Sequence, residues 1–502
     1  MPVSEILQSL DRHAASQPER PFIFGSSGTL NWQQLHREVN ALATQLRGCR
    51  RLGVLMENAP AWIVTDLAAM QADMVNIPVP VFFSDEQLQH VVRDAGIERL
   101  ITDRPERVTA LLPVDGLATM EIAGRQYTCL FLSGYASDEH YGDTAKVTYT
   151  SGTTGEPRGV RLPLRAMETV AAALATAAGA SRNDRALVLL PLSILLENIG
   201  SVYAPILAGA EIHVPDPAET GISGSSQVNV AAFARMLQRI RPSTLIVPPQ
   251  LLKLLVALAQ AGQLPDSFRF IAVGGAPTGM TLLESARDVG LPVYQGYGLS
   301  EACSVVAVNT DRDNFLGSAG RPLPHIKVRI SEQGEILLAG DSCCQYLHAH
   351  AESPPEELAT GDLGYLDDDG YLYVTGRCRE RIITAYGRNV SPEWLESELI
   401  SHPAIAQAAL FGNNMSRLVA VLVPADSGLS SNLPATLEKA LEEVNAQLPD
   451  YARVDRFIIA AEPFAAANGE LSSSGSLRRR VIEEHYAERI HRQSEEPREY
   501  IL

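Results

Sequence analysis

Short apolar runs alternate with amphipathic stretches through the first two-thirds of the chain. Apolar residues at helical spacing predict helices at 6–14 and 32–46, the second with Asn31 as its cap. Arg51–Leu55 (RLGVL) is a short buried strand. A helix at 61–72, a strand at 75–81 (VNIPVPV), a helix at 88–95 and a strand at 100–102 continue the alternation. The middle repeats it: strand 186–190, helix 198–207, strand Glu211–Val214, helix Val230–Ile240, strand Thr244–Val247, helix 249–261, strand Phe270–Val273. Helices set between short apolar strands imply βαβ units and parallel sheet.

Beyond Gly317 the pattern changes. Segments 328–330, 334–338 and 370–374 read as hairpin strands, separated by glycines and by the acidic turn Asp367-Asp368-Asp369-Gly370. Beyond Gly376 it changes again: helix Pro392–Ser401, strand Ile405–Phe411, strand 418–423, helix 433–446. The expected fold is therefore α/β. A large N-terminal domain (1–376) of parallel-rich βαβ subdomains carries a β-rich subdomain, and a small α+β domain (377–502) follows. The boundary falls near Gly376-Arg377 without a low-complexity linker, and no internal repeat is visible.

Composition narrows the classes. The 502 residues are 46% hydrophobic and 20% charged, which excludes disorder, collagen and coiled coil. With 41 basic against 59 acidic residues the net charge is −18, which argues against nucleic acid or an anionic membrane as the main partner. No apolar run reaches a membrane span, and the N-terminus shows no secretion signal. The six cysteines are scattered with no CxxC pair, as expected of reduced thiols in a cytoplasmic protein. Only four lysines occur, Lys146, Lys253, Lys327 and Lys439, so any mechanism that needs one has few candidates.

The strongest chemical signal is Tyr149-Thr150-Ser151-Gly152-Thr153-Thr154-Gly155-Glu156-Pro157-Arg158-Gly159-Val160, after the strand-like Val147-Thr148. Three glycines let the backbone approach a ligand, four hydroxyls donate, and Arg158 brings charge. Such a loop suits polyphosphate, although the GxxxxGK[ST] spacing is absent and a plain Ser/Thr/Gly surface turn has the same composition.

This loop resembles the phosphate-binding signature of the AMP-forming adenylating enzymes: acyl-CoA synthetases, peptide-synthetase adenylation domains and firefly luciferase. Four further segments resemble that family's motifs in the same order, so the likeness spans essentially the whole chain. They are Val273-Gly274-Gly275-Ala276-Pro277 (adenine side), Tyr294-Gln295-Gly296-Tyr297-Gly298-Leu299-Ser300-Glu301 (adenine and metal), Thr360-Gly361-Asp362 (ribose), and Gly376-Arg377 through Ile382 with 387–396 (hinge). The resemblance implies ATP, Mg²⁺ and coenzyme A, or a carrier-protein phosphopantetheine, as cofactors, and a small-molecule carboxylic acid as substrate. It also implies roles. Thr150, Arg158 and Ser300 act on phosphate, and Glu301 holds the metal. Asp362 and Arg377 hold the ribose. The small domain rotates about the hinge, with Glu380 at the pivot, to admit the thiol. Pro191 to Glu197 is similar to the PLSH-type segment of long-chain members, which implies a fatty or medium-chain acid. An acyl carrier protein is a further implied partner.

Three positions depart from the family pattern. Arg158 stands where lysine is usual, and Ile194 where the PLSH-type segment has histidine. The third is Ser476, in LSSSGSLRRR, at the place of the C-terminal catalytic lysine. Serine has no charge to place between a carboxylate and an α-phosphate, and losing one such contact costs roughly 10²–10³ in rate. Arg478 standing in, an engineered substitution, or a protein that favours thioester transfer each accommodate Ser476. The rival class is an adenylation-weakened nucleotide- or acyl-binding protein.

Overall fold

The computed structural model describes residues 4–135, 141–150, 157–223, 227–349, 356–386, 388–425, 432–472 and 475–495. The predicted βαβ alternation builds two large sheets. One has eight strands in the order Gln345–Tyr346, Arg158–Pro163, Thr144–Thr150, Val75–Pro78, Arg51–Leu55, Arg99–Thr102, Arg125–Phe131, Gly116–Ile122. Its centre is parallel, with Arg51–Leu55 paired to both Val75–Pro78 and Arg99–Thr102. The other has nine strands, also parallel at its centre, where Thr244–Val247 lies beside Phe270–Val273 and that strand beside Val293–Leu299. One continuous core joins them. Helices Trp32–Gln45, Pro60–Gln71 and Leu164–Ala177 pack against strands from both sheets. Pro60–Gln71 is buried nearly all round, which is why its apolar pattern has no polar face.

A buried ion pair ties this core to the site. Lys146 Nζ lies 2.8 Å from Asp66 Oδ1 and donates to Asn198 and Tyr203. It links the strand that feeds the hydroxyl-rich loop to the helix behind it and to the segment after Ile194. Burial pushes the Lys146 amine down, and Asp66 opposes that. Removing either partner would strand a buried charge, at a cost of roughly 3–5 kcal/mol.

The β-rich subdomain is a four-stranded antiparallel sheet, Lys327–Ile330, Glu335–Ala339, Leu358–Leu366 and Leu372–Arg377. Its last strand leads into a small domain built on the sheet Ile405–Phe411, Leu418–Pro424, Val454–Ile459. Alternate residues of these strands face opposite sides. Ala408, Leu410, Ala420 and Leu422 pack with helices Pro392–Ser401 and Leu433–Asn445. Ala409, Phe411, Val419 and Val421 pack on the side of Ile482, Tyr486 and Ile490, from helix Arg479–Glu495. Both faces are covered, so the strands read as continuous apolar runs.

The helix expected at 198–207 is three pieces: Leu195–Asn198, a π-turn at Ile199–Tyr203, and Ala204–Ala208. The strand expected at 75–81 stops at Pro78, and that at 370–374 begins at Leu372 after the acidic turn. No helix among the described residues is long and apolar enough to cross a membrane.

Candidate active site

The sequence motifs meet because they occupy neighbouring strands and the turns that follow them. Thr150 ends the strand Thr144–Thr150 and pairs with Arg158, which opens the returning strand Arg158–Pro163. The loop positions Ser151, Gly152, Thr153, Thr154 and Gly155 lie outside the described residues. Gly274, Gly275, Ala276 and Pro277 follow the strand Phe270–Val273. Gln295, Gly296, Tyr297 and Gly298 lie in the neighbouring strand Val293–Leu299, and Ser300 and Glu301 in the tight turn after it. Gly298 has a steric reason: a Cβ there would run into the Ser304 carbonyl of the paired strand. Asp362 and Arg377 are register partners in adjacent strands.

One cavity of about 3890 Å³ between the large and small domains takes in every described candidate. Thr150, Arg158, Gly274, Gly275, Ala276, Pro277, Gln295, Gly296, Tyr297, Gly298, Ser300, Glu301, Asp362, Arg377 and Ser476 all line it.

Asp362 is held from two sides. The Tyr297 hydroxyl donates to its Oδ2 at 2.6 Å, and Arg377 Nε lies 3.3 Å from its Oδ1. Burial pushes the Asp362 carboxyl up, while Tyr297 and Arg377 act downward. Burial, then the neighbouring carboxylate, pushes the Tyr297 phenol well above its ordinary value, so it stays a donor. A carboxylate, a guanidinium and a phenol brought together from three strands can bind a vicinal diol. Gln295 Oε1 and Thr278 Oγ1 are buried and have no hydrogen-bond partner among the described residues, though both residues line the cavity. Orphaned polar atoms of this kind suit a ligand with its own donors and acceptors.

Tyr346 belongs to the site and carried no sequence signal. It lies in the two-residue strand Gln345–Tyr346, beside Arg158–Pro163. Its hydroxyl donates to Glu301 Oε1, and its ring supports the Arg158 guanidinium at 3.7 Å. Burial, then Glu301, pushes its phenol up to about 12. Among the described residues no three His, Cys, Asp or Glu side chains converge as a metal cage. The donor set fits Mg²⁺ held by Glu301 together with phosphate oxygens, because Mg²⁺ usually takes one or two carboxylates plus substrate phosphates.

Ser476 is exposed, in a tight turn closed by Ser472 N–H to Ser476 O (2.7 Å) and Ser476 N–H to Ser472 Oγ (3.0 Å). Arg479 is committed elsewhere: it binds Glu396, Glu380 and the Leu410 carbonyl. Arg478 and Arg480 are both exposed and both line the cavity, Arg480 being paired with Glu484 at 2.9 Å. Glu380, the expected pivot, is thus tied to the start of the last helix.

Ile194 lines the cavity with Leu189, Gly200, Ala204 and Ile246. Arg269 also reaches it but is paired with Asp184 at 2.6 Å.

Comparison with known proteins agrees with this geometry. A family model described as AMP-binding enzyme matches residues 10–343, and one described as AMP-binding enzyme C-terminal domain matches 379–496. A long-chain-fatty-acid–CoA ligase of Mycobacterium bovis is 26% identical over 86% of this chain and 85% of its own. A 2-succinylbenzoate–CoA ligase of Bacillus velezensis is 28% identical over 80% and 84%. Among solved structures, an anthranilate CoA ligase in complex with anthranoyl-AMP superposes with a TM-score of 0.80 at 19% identity, covering 97% of this chain and 98% of that one. O-succinylbenzoate coenzyme A synthetase of Bacillus subtilis in complex with AMP gives 0.74 at 25%, covering 94% and 97%.

Proposed function

Because this chain belongs to the AMP-binding enzyme family, an AMP-forming acid–thiol ligase that uses ATP, Mg²⁺ and coenzyme A, we propose that its acid substrate is a fatty acid of medium or long chain. The carboxylate oxygen attacks the α-phosphorus of ATP, the bond to pyrophosphate breaks, and acyl-AMP forms. The thiol then attacks the acyl carbon and AMP leaves.

The observation that carries the substrate reading is the acyl-side wall. Its cavity-facing residues Leu189, Ile194, Gly200, Ala204 and Ile246 are uncharged, and Arg269, which lines the same cavity, is paired with Asp184. An acid with a second carboxylate, as in 2-succinylbenzoate, would leave that charge unpaired in an apolar wall, which is strongly unfavourable. A hydrocarbon tail fits it.

In this reading Asp362 and Arg377 bind the ribose hydroxyls. Gly274 to Pro277 and Gln295 to Gly298 flank the purine. Thr150, Ser300 and Arg158 face the phosphates. Glu301 holds Mg²⁺, which neutralises developing phosphate charge when bound. Tyr346 keeps the Glu301 carboxylate in place. The test is pyrophosphate release from ATP across acetate, medium- and long-chain fatty acids, benzoate and 2-succinylbenzoate. Fatty acids should give the highest kcat/KM; a preference for 2-succinylbenzoate would overturn the substrate assignment.

A second reading rests on Ser476. Without the lysine ammonium, the chain serves as a nucleotide- or acyl-binding protein with weak adenylation. Tight ATP binding with no pyrophosphate release from any acid of the panel supports it. Thioester formation measured with coenzyme A and with a phosphopantetheinylated carrier protein separates the two acceptors.

A further inference from the structure

Lys253 is one of four lysines in a chain with 37 arginines. It sits one turn into helix Pro249–Gln260 of the large domain. Its side chain crosses to the small domain and donates three hydrogen bonds, to the carbonyls of Ile400 (2.8 Å), His402 (2.9 Å) and Ile405 (3.1 Å). These oxygens surround the C-terminal end of helix Pro392–Ser401. The last carbonyls of a helix have no intrahelical partner and carry its negative pole, so a cation there is doubly favoured. Burial pushes the Lys253 amine down to about 8, which leaves it charged at neutral pH.

The head group explains the residue type. A tetrahedral ammonium directs three donors to three converging carbonyls, whereas a planar guanidinium directs its donors in one fork. Arginine is the chain's default cation and lysine is the exception at this position.

A second contact closes the same seam. The Met280 N–H of the large domain donates to Glu398 Oε1 at 2.9 Å, and Gly279 packs so close that any Cβ would meet Ser401 and the Ser397 carbonyl. The N-terminal half of helix Pro392–Ser401 carries Glu393, 3.9 Å from Arg377, and Glu396, which binds Arg479. This helix therefore connects the seam to Arg377 and to the Ser476 turn. In the docked arrangement that turn lines the same cavity as Glu301 and Asp362.

We propose that Lys253 is a positioning residue: a latch that holds the small domain in the arrangement where the Ser476 turn faces the nucleotide cleft, and that must release before thiol transfer. The docking half of this stands on the contacts alone; the assignment to half-reactions rests on the ligase reading above.

The test is hydrogen–deuterium exchange on the full chain, parent against Lys253→Met, read at the Met280 amide, whose acceptor lies across the seam. Lys253→Met should speed exchange there about 10-fold and leave the sheet strands of both domains unchanged. In single-turnover assays it should slow acyl-AMP formation about 3–30-fold, while thioester formation from synthetic acyl-AMP stays level or rises. Unchanged exchange at Met280 overturns the latch. Faster exchange throughout both sheets would mean unfolding, and Lys253→Arg then decides. That variant keeps size and charge, so it should still loosen the seam; full protection by arginine overturns the three-carbonyl argument. If exchange responds but both half-reactions slow equally, the latch stands and its link to one half-reaction falls. If no acid is adenylated by the parent, the ligase reading fails while the exchange result still judges the latch.

Discussion

Burial drives the Asp362 carboxyl toward its protonated form, while the Tyr297 hydroxyl and the Arg377 guanidinium favour the charged one. Three polar groups from three strands meet where a ribose diol can replace or extend their mutual contacts. Asp362→Ala should weaken AMP binding by about 1–3 kcal/mol, the range for a charged hydrogen-bonded group. Isothermal calorimetry with equal affinities for mutant and parent would remove Asp362 from the site. Glu301 has a different task. Its partner is a phenol, and its cavity position suits Mg²⁺. Glu301→Gln should depress pyrophosphate release and shift its Mg²⁺ dependence to higher concentration, with AMP affinity nearly intact. Unchanged magnesium dependence would refute the metal assignment. At this scale the motif residues were legible because spacing along one strand or turn carries them. Tyr346 was not: it reaches Glu301 from 45 positions away, and only strand pairing brings it there.

Elements around Ile194 carry the larger departures from simple periodicity. The segment 198–207 reads as one helix, yet a π-turn interrupts it at Ile199–Tyr203. Asn198 and Tyr203 at the two ends of that turn both bind Lys146 and Asp66, and π-turns recur at functional sites. Glu197, just before it, is completely buried and accepts the Leu189 N–H at 2.9 Å. Burial pushes its carboxyl up from 4.5 to about 8, against the pull of the Leu189 N–H, Ser201 and the Leu190 N–H. The sign follows from linkage. The folded state holds this proton more tightly than the unfolded one, so the contribution is complete below about pH 4.5 and is lost as pH rises through about 8. The full window amounts to on the order of a few kcal/mol. Glu197→Gln keeps the acceptor and cannot ionise. Thermal unfolding should show the variant more stable than the parent at pH 8.5 and no more stable at pH 5. Equal melting temperatures at both values would place the Glu197 proton elsewhere.

Across the whole molecule the question is how two domains share one active site. The charge that adenylation accumulates at the α-phosphate is met by cations, and the C-terminal turn offers Ser476 where the family places lysine. Ser476→Lys should raise pyrophosphate release by roughly 10–10³-fold if no other cation acts there. Thioester formation from synthetic acyl-AMP should change little, because thiol attack follows small-domain rotation. Paired single-turnover assays decide. A flat adenylation rate would mean that a cation is already present, with Arg478 next to be replaced. A parallel rise in both half-reactions would refute a role confined to one.

The sequence by itself determined the alternation of strand and helix, the split into a large and a small domain, and the ordered motifs. Each depends on neighbours within a few residues, where periodicity, turn chemistry and glycine sterics act. It also flagged Ser476 and the scarcity of lysine. Tertiary structure decided what long-range contact alone can set: the pairing of Gln345–Tyr346 with Arg158–Pro163 that delivers Tyr346 to Glu301, the buried Lys146–Asp66 pair, and the reach of Lys253 across the domain seam. Strand register and helix docking are settled by the burial of whole faces, so the partners of a polar side chain on those faces follow from the packing and not from its neighbours in sequence.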